Sequence, residues 1–491
     1  MSPSDIPVPQ KGLARIQIAN SGAMQSCFER QRAAYLAAPE PNHAQRVEDL
    51  NKLAQLLKEH REAVIEAINQ DYGNRSTFET LFAEFFMVLD DIKSTIKHLK
   101  KWMKPQKRKI DLMVYPTSSN RVIPQPLGVI GVIVPWNFPL MLSFAPLAAI
   151  FAAGNRAMLK MSENSNHFAR LLIAITPKYF PPEKLQFFED GGGLGPAFSS
   201  LPFDHLFFTG SGQTGKAVMA NAARNLTPVT LELGGKSPAV VAPDFPMALA
   251  ADRIMWSKAF NAGQICTNVD YTFIPAGTEA DFEREAQRVI AERYPDINHP
   301  DYTSVIDQRS YDRLQATLDD AIAKGARVVN LFPGQTPNKE LRKFPLHLVF
   351  NVSDDMDIMQ REIFGPLLPV KTYASKEEVA SYVNQHDRPL ALYPFTKDRK
   401  LQDYYVTHIM SGGVSINTAL LHVAQHDIPF GGVGASGMGH YHGYEGFLTF
   451  SKLRPVYRQG FFAATKMMLP PYDKGPMKPN MLIDLIIKLK G

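Results

Sequence analysis

From Gly128 onward the chain alternates between short apolar, β-branched runs and helical stretches, and this alternation limits the fold more than any other feature. Val129-Ile-Gly-Val-Ile-Val134 reads as a buried strand, and residues 140–153 as the helix that follows. Ala157-Met-Leu-Lys160 is the next strand and residues 166–180 the next helix. Leu185-Gln-Phe-Phe-Glu189, His205-Leu-Phe-Phe-Thr209 and Thr227-Pro-Val-Thr-Leu-Glu-Leu233 continue the strands, with residues 216–224 helical before the last. Repeated strand–helix units predict a parallel sheet with helices on both faces. A second α/β series follows. Residues 246–260 are helical, Tyr271-Thr-Phe-Ile274 is a strand, and residues 279–293 and 311–324 are helices. Arg327-Val-Val-Asn330 and His347-Leu-Val-Phe350 are strands. The change of series falls near Gly234-Gly235, which reads as a hinge.

Before Gly128 the pattern is helical. Tyr35, Leu50, Leu53, Leu56 and Leu57 recur at helical spacing within residues 24–70, and residues 76–104 are helical up to Pro105. Residues 109–124 alternate and predict a hairpin turning at Ser118-Ser-Asn120. After Phe461 the tail is rich in Pro, Lys and Met, and residues 481–490 form a short apolar helix suited to packing on another subunit or to shallow membrane contact.

Composition excludes several classes. With 45% hydrophobic and 21% charged residues in 491, the chain has the make-up of a soluble globular protein of several domains. Two cysteines do not make a disulfide framework and fit a reducing, cytoplasmic setting. The net charge of +5 comes without a long basic run interleaved with aromatics, so nucleic-acid binding is not expected. The first residues lack a basic-then-apolar secretory signal. Residues 129–154 are the most apolar stretch, but Pro135, Asn137, Pro139 and Pro146 interrupt it before the ~18 residues a membrane span needs.

The chemistry centres on Asn261-Ala-Gly-Gln-Ile-Cys-Thr-Asn268. There a helix runs into a loop that offers one thiol, Cys266, as nucleophile. Cys27 lies in a polar N-terminal helix without a comparable setting. Asn137, between Trp136 and Phe138 where a strand meets a helix, is either an N-cap or an oxyanion donor. Glu232 is the one charge in an apolar strand end. Burial there should raise its pKa and suit it to general-base work, unless Lys236 neutralises it. Gly210-Ser-Gly-Gln-Thr-Gly215 follows a strand and opens a helix, the context of a pyrophosphate-binding turn. Glu232 lies roughly 20 residues further on, where a ribose-binding acid is expected, so spacing leaves its role open between base and ribose ligand. His422 and His426 are four apart, but no accompanying ligand pattern supports a metal site.

Seven motifs, in order, resemble those of the aldehyde dehydrogenase superfamily. They are Pro135-Trp-Asn-Phe-Pro139, Leu159-Lys-Met-Ser-Glu163, Phe208-Thr-Gly-Ser211, Leu231-Glu-Leu-Gly-Gly-Lys-Ser-Pro238, Gly263-Gln-Ile-Cys266, Glu362-Ile-Phe-Gly-Pro366 and Pro429-Phe-Gly-Gly-Val-Gly-Ala-Ser-Gly437. Leu421-His-Val-Ala-Gln-His426 and Gly439-His-Tyr-His-Gly443 are similar to the class 3 branch, and within it to bacterial coniferyl aldehyde dehydrogenases.

The resemblance implies an α/β fold with a Rossmann-type NAD-binding domain (residues 1–107, 128–233 and 425–443) and an α/β catalytic domain (234–424). It also implies a small β oligomerisation element (108–127 and 444–460) and a tail (461–491). It implies that Cys266 attacks an aldehyde, that Asn137 and the Cys266 N–H hold the oxyanion, and that Glu232 activates water. Trp136, Lys160, Glu163, Gly210, Ser211, Gly215, Glu362 and Phe364 would line the cofactor. Glu163 favours NAD over NADP, although NADP stays open. The expected product is the carboxylic acid of an aromatic or a medium- to long-chain aldehyde. The alternatives are acyl transfer to coenzyme A, a fatty-aldehyde enzyme held peripherally at a membrane by its tail and, against the intact Cys266, Glu232 and Asn137, a non-enzymatic protein that kept the fold. A homodimer is implied. Met161, Thr267, Asn268 and Thr418 depart from the usual family residues and bear on the shape of the substrate channel.

Overall fold

The structure is a computed structural model that describes residues 10–112, 114–462, 469–472 and 479–490. The extreme N-terminus, on which the reading about a secretory signal rested, and parts of the 461–491 tail lie outside these residues.

Among the described residues three sheets organise the chain. The first has six strands. Its centre is Val129–Ile133, flanked on one side by Arg156–Lys160 and Leu185–Phe188 and on the other by His205–Gly210 and Val229–Leu233, all parallel. The short strand Gly437–Met438 joins antiparallel beyond Val229–Leu233. The order reverses at Val129–Ile133: the chain first winds one way, then returns past its start. Such a switch leaves a crevice at the carboxyl ends of the two central strands. Residues 134–137 and Gly210-Ser211 lie at those ends.

Every residue of the central strand is buried, as is every residue of the helix Met141–Ala152. The apolar run 129–154 is therefore a core strand and a core helix joined by a loop. Among the described residues no helix is long and apolar enough to cross a membrane.

The second sheet has seven strands, in the order Arg327–Asn330, His347–Phe350, Leu367–Tyr373, Tyr271–Pro275, Pro238–Val241, Ala391–Phe395, Gly413–Val414. Only the first pairing is antiparallel. Gly234 joins the two sheets at a point of close approach: a Cβ there would lie 2.0 Å from a carboxylate oxygen of Glu362.

The third sheet has three antiparallel strands, Gln106–Arg108, Ser119–Pro126 and Ser451–Arg458. The expected hairpin is therefore displaced. Ser119 and Asn120 lie within a strand, and the connection is the longer stretch between the first two strands. Alternating residues near a turn do not say which of them pair; the partner strand, Ser451–Arg458, comes from more than 300 residues away.

N-terminal helices pack on the first sheet. Cys27, expected on a polar helix, is 1% exposed, with its thiol 3.7 Å from the Pro182 carbonyl. His422 bonds Ser415 and His426 bonds Asp90. No cluster of metal-ligating groups occurs among the described residues.

Candidate active site

The thiol is presented by a strained turn. The helix Met247–Ala259 ends in a tight turn, Phe260–Gly263, in which Asn261, Ala262 and Gly263 all have positive φ, at 50°, 49° and 73°. Two non-glycine residues there cost energy that the surroundings must offset. Asn261 is held from three sides. Its N–H donates to Glu79 (2.9 Å), and its side-chain amide donates to the Asn137 carbonyl (3.2 Å) and the Gln264 carbonyl (3.1 Å). Gly263 has no room for a side chain, since a Cβ would sit 2.5 Å from the Gly365 carbonyl oxygen. Cys266 follows three residues later, at the junction of two cavities.

One cavity, of ≈ 310 Å³, is lined by Pro135, Trp136, Asn137, Thr209, Gly210, Ser211, Glu232, Cys266, Glu362 and Phe364, among others. It holds three of the polar side chains that are buried without a hydrogen-bond partner. Both oxygens of Glu232, Oγ1 of Thr209 and Oε1 of Glu362 are unsatisfied among the described residues. Thr209 and Glu232 are cross-strand neighbours in register. Lys236 does not neutralise Glu232. It pairs with Asp270 and donates to the Ile358 carbonyl instead. Burial alone pushes Glu232 well above the usual carboxylate range. Burial, then the neighbouring Asp270, pushes Glu362 up to about 8. Burial, together with the Glu362 and Glu232 carboxylates, pushes the Cys266 thiol up to about 12. Unsatisfied buried groups of this kind are costly unless a ligand or water completes them.

A second, wider cleft of ≈ 510 Å³ continues from the first past Trp136, Gly210 and Ser211, and is walled by Lys160, Glu163, Asp190 and Gly192. Lys160 is ion-paired with Asp190. Ser211 caps the helix Gly212–Ala223 by accepting from the Thr214 N–H. Gly215 does not face the cleft; a Cβ on it would meet Leu233 at 2.7 Å, so its smallness serves helix–strand packing. Phe364, with φ 48°, stands edge-on to Trp136, with ring centroids 5.5 Å apart.

The other cavity at Cys266 is different in kind. It is a channel of ≈ 100 Å³ walled by Phe82, Met87, Phe138, Met141, Trp256, Phe260, Ile265, Leu420, Phe430 and Tyr441, among others. One sulfur thus stands between a polar cleft with two unsatisfied carboxylates and an apolar channel.

The model of the aldehyde dehydrogenase family matches residues 3–456 of the chain. The chain belongs to the aldehyde dehydrogenase family. It is 50% identical over 456 residues to a probable coniferyl aldehyde dehydrogenase of Pseudomonas aeruginosa, covering 93% of this chain and 95% of that one. It is 34% identical over 437 residues to aldehyde dehydrogenase family 3 member H1 of Arabidopsis thaliana, covering 88% and 89%. A solved Staphylococcus aureus AldH in its substrate-bound state superposes with TM-score 0.88 at 32% identity, covering 94% of this chain and 99% of that one. This aldehyde dehydrogenase is thus an oxidoreductase acting on the aldehyde group, with class 3 relatives.

Asn137 is not an N-cap. Its side-chain amide donates to the Gln264 carbonyl (3.3 Å), and the following helix is capped by Glu84, which accepts from the N–H groups of Leu140 (2.7 Å) and Met141 (3.2 Å). The Asn137 carbonyl accepts from Tyr72 (2.9 Å), Arg75 (2.9 Å) and Asn261 (3.2 Å).

The short segment Thr77–Phe86 therefore grips both loops of the candidate site. Glu79 holds the Cys266 turn and Glu84 holds the Asn137 helix. Arg75 lies against Glu84 at 3.0 Å, both side chains wholly buried, with its guanidinium 4.9 Å from the ring centroids of Tyr72 and Phe138. The sequence reading passed over Arg75, Glu79 and Glu84. The available signal was a carboxylate inside Leu81-Phe-Ala-Glu-Phe-Phe86, where an unpartnered charge would be prohibitive.

Proposed function

We propose that this enzyme oxidises an aromatic, phenylpropenal-type aldehyde to its acid through a thioester on Cys266, with NAD as hydride acceptor. The observation that carries this reading is the position of Cys266, shared by the apolar channel and by the cavity that contains Glu232. The probable function named for the Pseudomonas aeruginosa relative points to the same substrate class.

The polar clefts fit a dinucleotide. Gly210 and Ser211 stand at a helix N-terminus that favours a pyrophosphate. Lys160 and Glu163 would meet the adenosine ribose, and the Glu163 carboxylate disfavours a 2′-phosphate. Glu362 and Phe364 would meet the nicotinamide ribose and ring, which leaves the unsatisfied Glu362 Oε1 a partner. When bound, NAD would supply the hydride acceptor and a positive charge beside the sulfur.

The chain's own groups do the rest. With its pKa pushed up by burial and by the Glu362 and Glu232 carboxylates, the Cys266 thiol is protonated at rest. Once the thiol has released its proton to solvent, the sulfur bonds to the aldehyde carbon and the carbonyl pair moves onto oxygen. The resulting alkoxide accepts from the Asn137 amide and the Cys266 N–H, the kind of preorganised donor pair worth ~3 kcal/mol per donor. Loss of hydride from that carbon leaves the thioester. Glu232 then takes a proton from water, the hydroxyl adds to the thioester carbonyl, and the thiolate leaves with release of the acid. Its raised pKa makes this step faster as pH rises. A base poised on water supports hydrolysis over acyl transfer to coenzyme A.

We further propose that residues 1–107, 128–233 and 425–443 carry the dinucleotide and that residues 234–424 carry the nucleophile. Residues 108–127 and 444–460 would pair two copies. Supporting the last, Ser451–Arg458 is an edge strand with Leu453 and Tyr457 40% and 48% exposed.

The test is Glu232→Gln. NADH should appear as a single burst of about one equivalent with cinnamaldehyde, and mass spectrometry should find the acyl group on the peptide containing Cys266. Steady turnover at the wild-type rate without an adduct would refute the base assignment.

A further inference from the structure

The segment Thr77–Phe86 has an outer face that the clamp does not use. On it stand Phe78, Phe82 and Phe86, one every fourth residue. Their rings form a ladder: centroids are 5.9 Å apart from Phe78 to Phe82 and 6.1 Å from Phe82 to Phe86, with planes 5° and 6° from parallel. Phe78 is 66% exposed and Phe86 55%. The ladder runs from the α-helical turn Thr77–Thr80 into the π-helix Leu81–Phe86, so residues four apart stay on one face along it. π-Helical turns cost stability and concentrate at functional sites.

Single exposed apolar side chains are ordinary, but a row of large rings facing water is not. This row is also not an isolated patch. Phe82 belongs both to the ladder and to the wall of the channel that ends on Cys266, and Ala83 and Met87 from the same stretch line that channel too. A flat apolar surface outside thus runs without a break into an apolar channel inside.

We infer that Phe78, Phe82 and Phe86 form an aromatic loading strip, which captures the ring of a phenylpropenal-type aldehyde at the surface and passes it into the Cys266 channel. The inference rests on the aromatic-substrate reading above. Offset-stacked and edge-on ring pairs are favoured over contacts of equal area with aliphatic groups. A planar conjugated aldehyde can engage the ladder in either way, whereas propanal has no ring to offer.

The experiment compares kcat/KM for cinnamaldehyde and propanal in the full-length enzyme with Phe78→Ala, Phe78→Leu and Phe78→Trp. Phe78 is mostly solvent-exposed and does not line the channel, so the substitutions leave the core intact. The cinnamaldehyde-to-propanal ratio should fall about three- to tenfold in the Ala and Leu variants, through KM, and be retained by Trp. Retention of the ratio by the Leu variant would overturn the inference, because apolar bulk alone would then suffice. A drop in solution mass, or loss of binding to anionic vesicles, with the ratio intact would also overturn it, by assigning the strip to a second copy or to a membrane. If the wild-type enzyme does not prefer cinnamaldehyde, the aromatic-substrate reading fails and the strip fails with it. If the preference exists and survives Phe78→Ala, only the strip fails.

Discussion

Glu84→Gln tests whether the buried clamp is needed to hold the oxyanion loop. Glutamine keeps the shape and one acceptor for the Leu140 and Met141 N–H groups, but it removes the charge opposite Arg75. Deleting one partner of a buried pair costs about 3–5 kcal/mol, because the other charge is left uncompensated. Arg75 retains the Asn137 carbonyl and two ring faces, which places the expectation near the lower end, about 3 kcal/mol. Arg75→Met leaves the Glu84 carboxylate stranded and should cost a similar amount. The double variant strands neither charge, so its loss should be smaller than the sum of the two, with a coupling of at least about 2 kcal/mol. Catalysis should not recover with stability. Arg75 also donates to the Asn137 carbonyl, and a slackened loop misplaces the amide; a displacement of about 1 Å can cost on the order of 100-fold. Denaturant unfolding of the four proteins gives the cycle, and kcat/KM with one aldehyde gives the second readout. If the two losses add to within about 0.5 kcal/mol, or activity returns in full with the double variant, the clamp is not a positioning device.

Two further substitutions report on the cavity. Glu362 is pushed up from the ordinary 4.5 to about 8, so in the cofactor-free fold it stays neutral while the unfolded chain ionises. The stability this gives is fully present below pH 4.5 and is lost as pH rises through about 8. At about 1.36 kcal/mol per pH unit the ceiling is on the order of 5 kcal/mol. Glu362→Gln should therefore flatten the fall in thermal midpoint between pH 5.5 and 8.5; identical pH profiles would contradict the assignment. Gly263→Ala places a methyl group 2.5 Å from the Gly365 carbonyl at φ 73°, and should lower kcat/KM at least about tenfold with a modest loss of thermal midpoint. Wild-type kinetics in that variant would show that the turn can relax without moving Cys266.

The strand–helix alternation was legible because each buried parallel strand writes a continuous apolar run into the chain. The helix boundaries came within a few residues for the same reason, as with residues 246–260 against the observed Met247–Ala259. Cys266, Glu232 and Asn137 were legible as candidates because each is a polar residue in a place that would otherwise be apolar. The strands of the third sheet were misplaced because their register is set by Ser451–Arg458, which local alternation cannot see. That Gly234 also lets the Glu362 carboxylate come close is not written in a glycine pair, which looks the same whether it bends or makes room. Cys27 was set aside because its helix is polar on average; that average does not show the one helix face buried against Pro182.

The chain by itself supplies one thiol in the loop after a helix, one amide where a strand meets a helix and one carboxylate at an apolar strand end, since side-chain identity and local periodicity are properties of the sequence. Only tertiary packing decides that the carboxylates of Glu232 and Glu362 share a cavity with the thiol and that Glu232 has no counter-ion among the described residues. Only packing sets segment 77–86 against both loops. Desolvation and long-range backbone hydrogen bonds create those properties, and neither exists until residues far apart in sequence have closed around the same space.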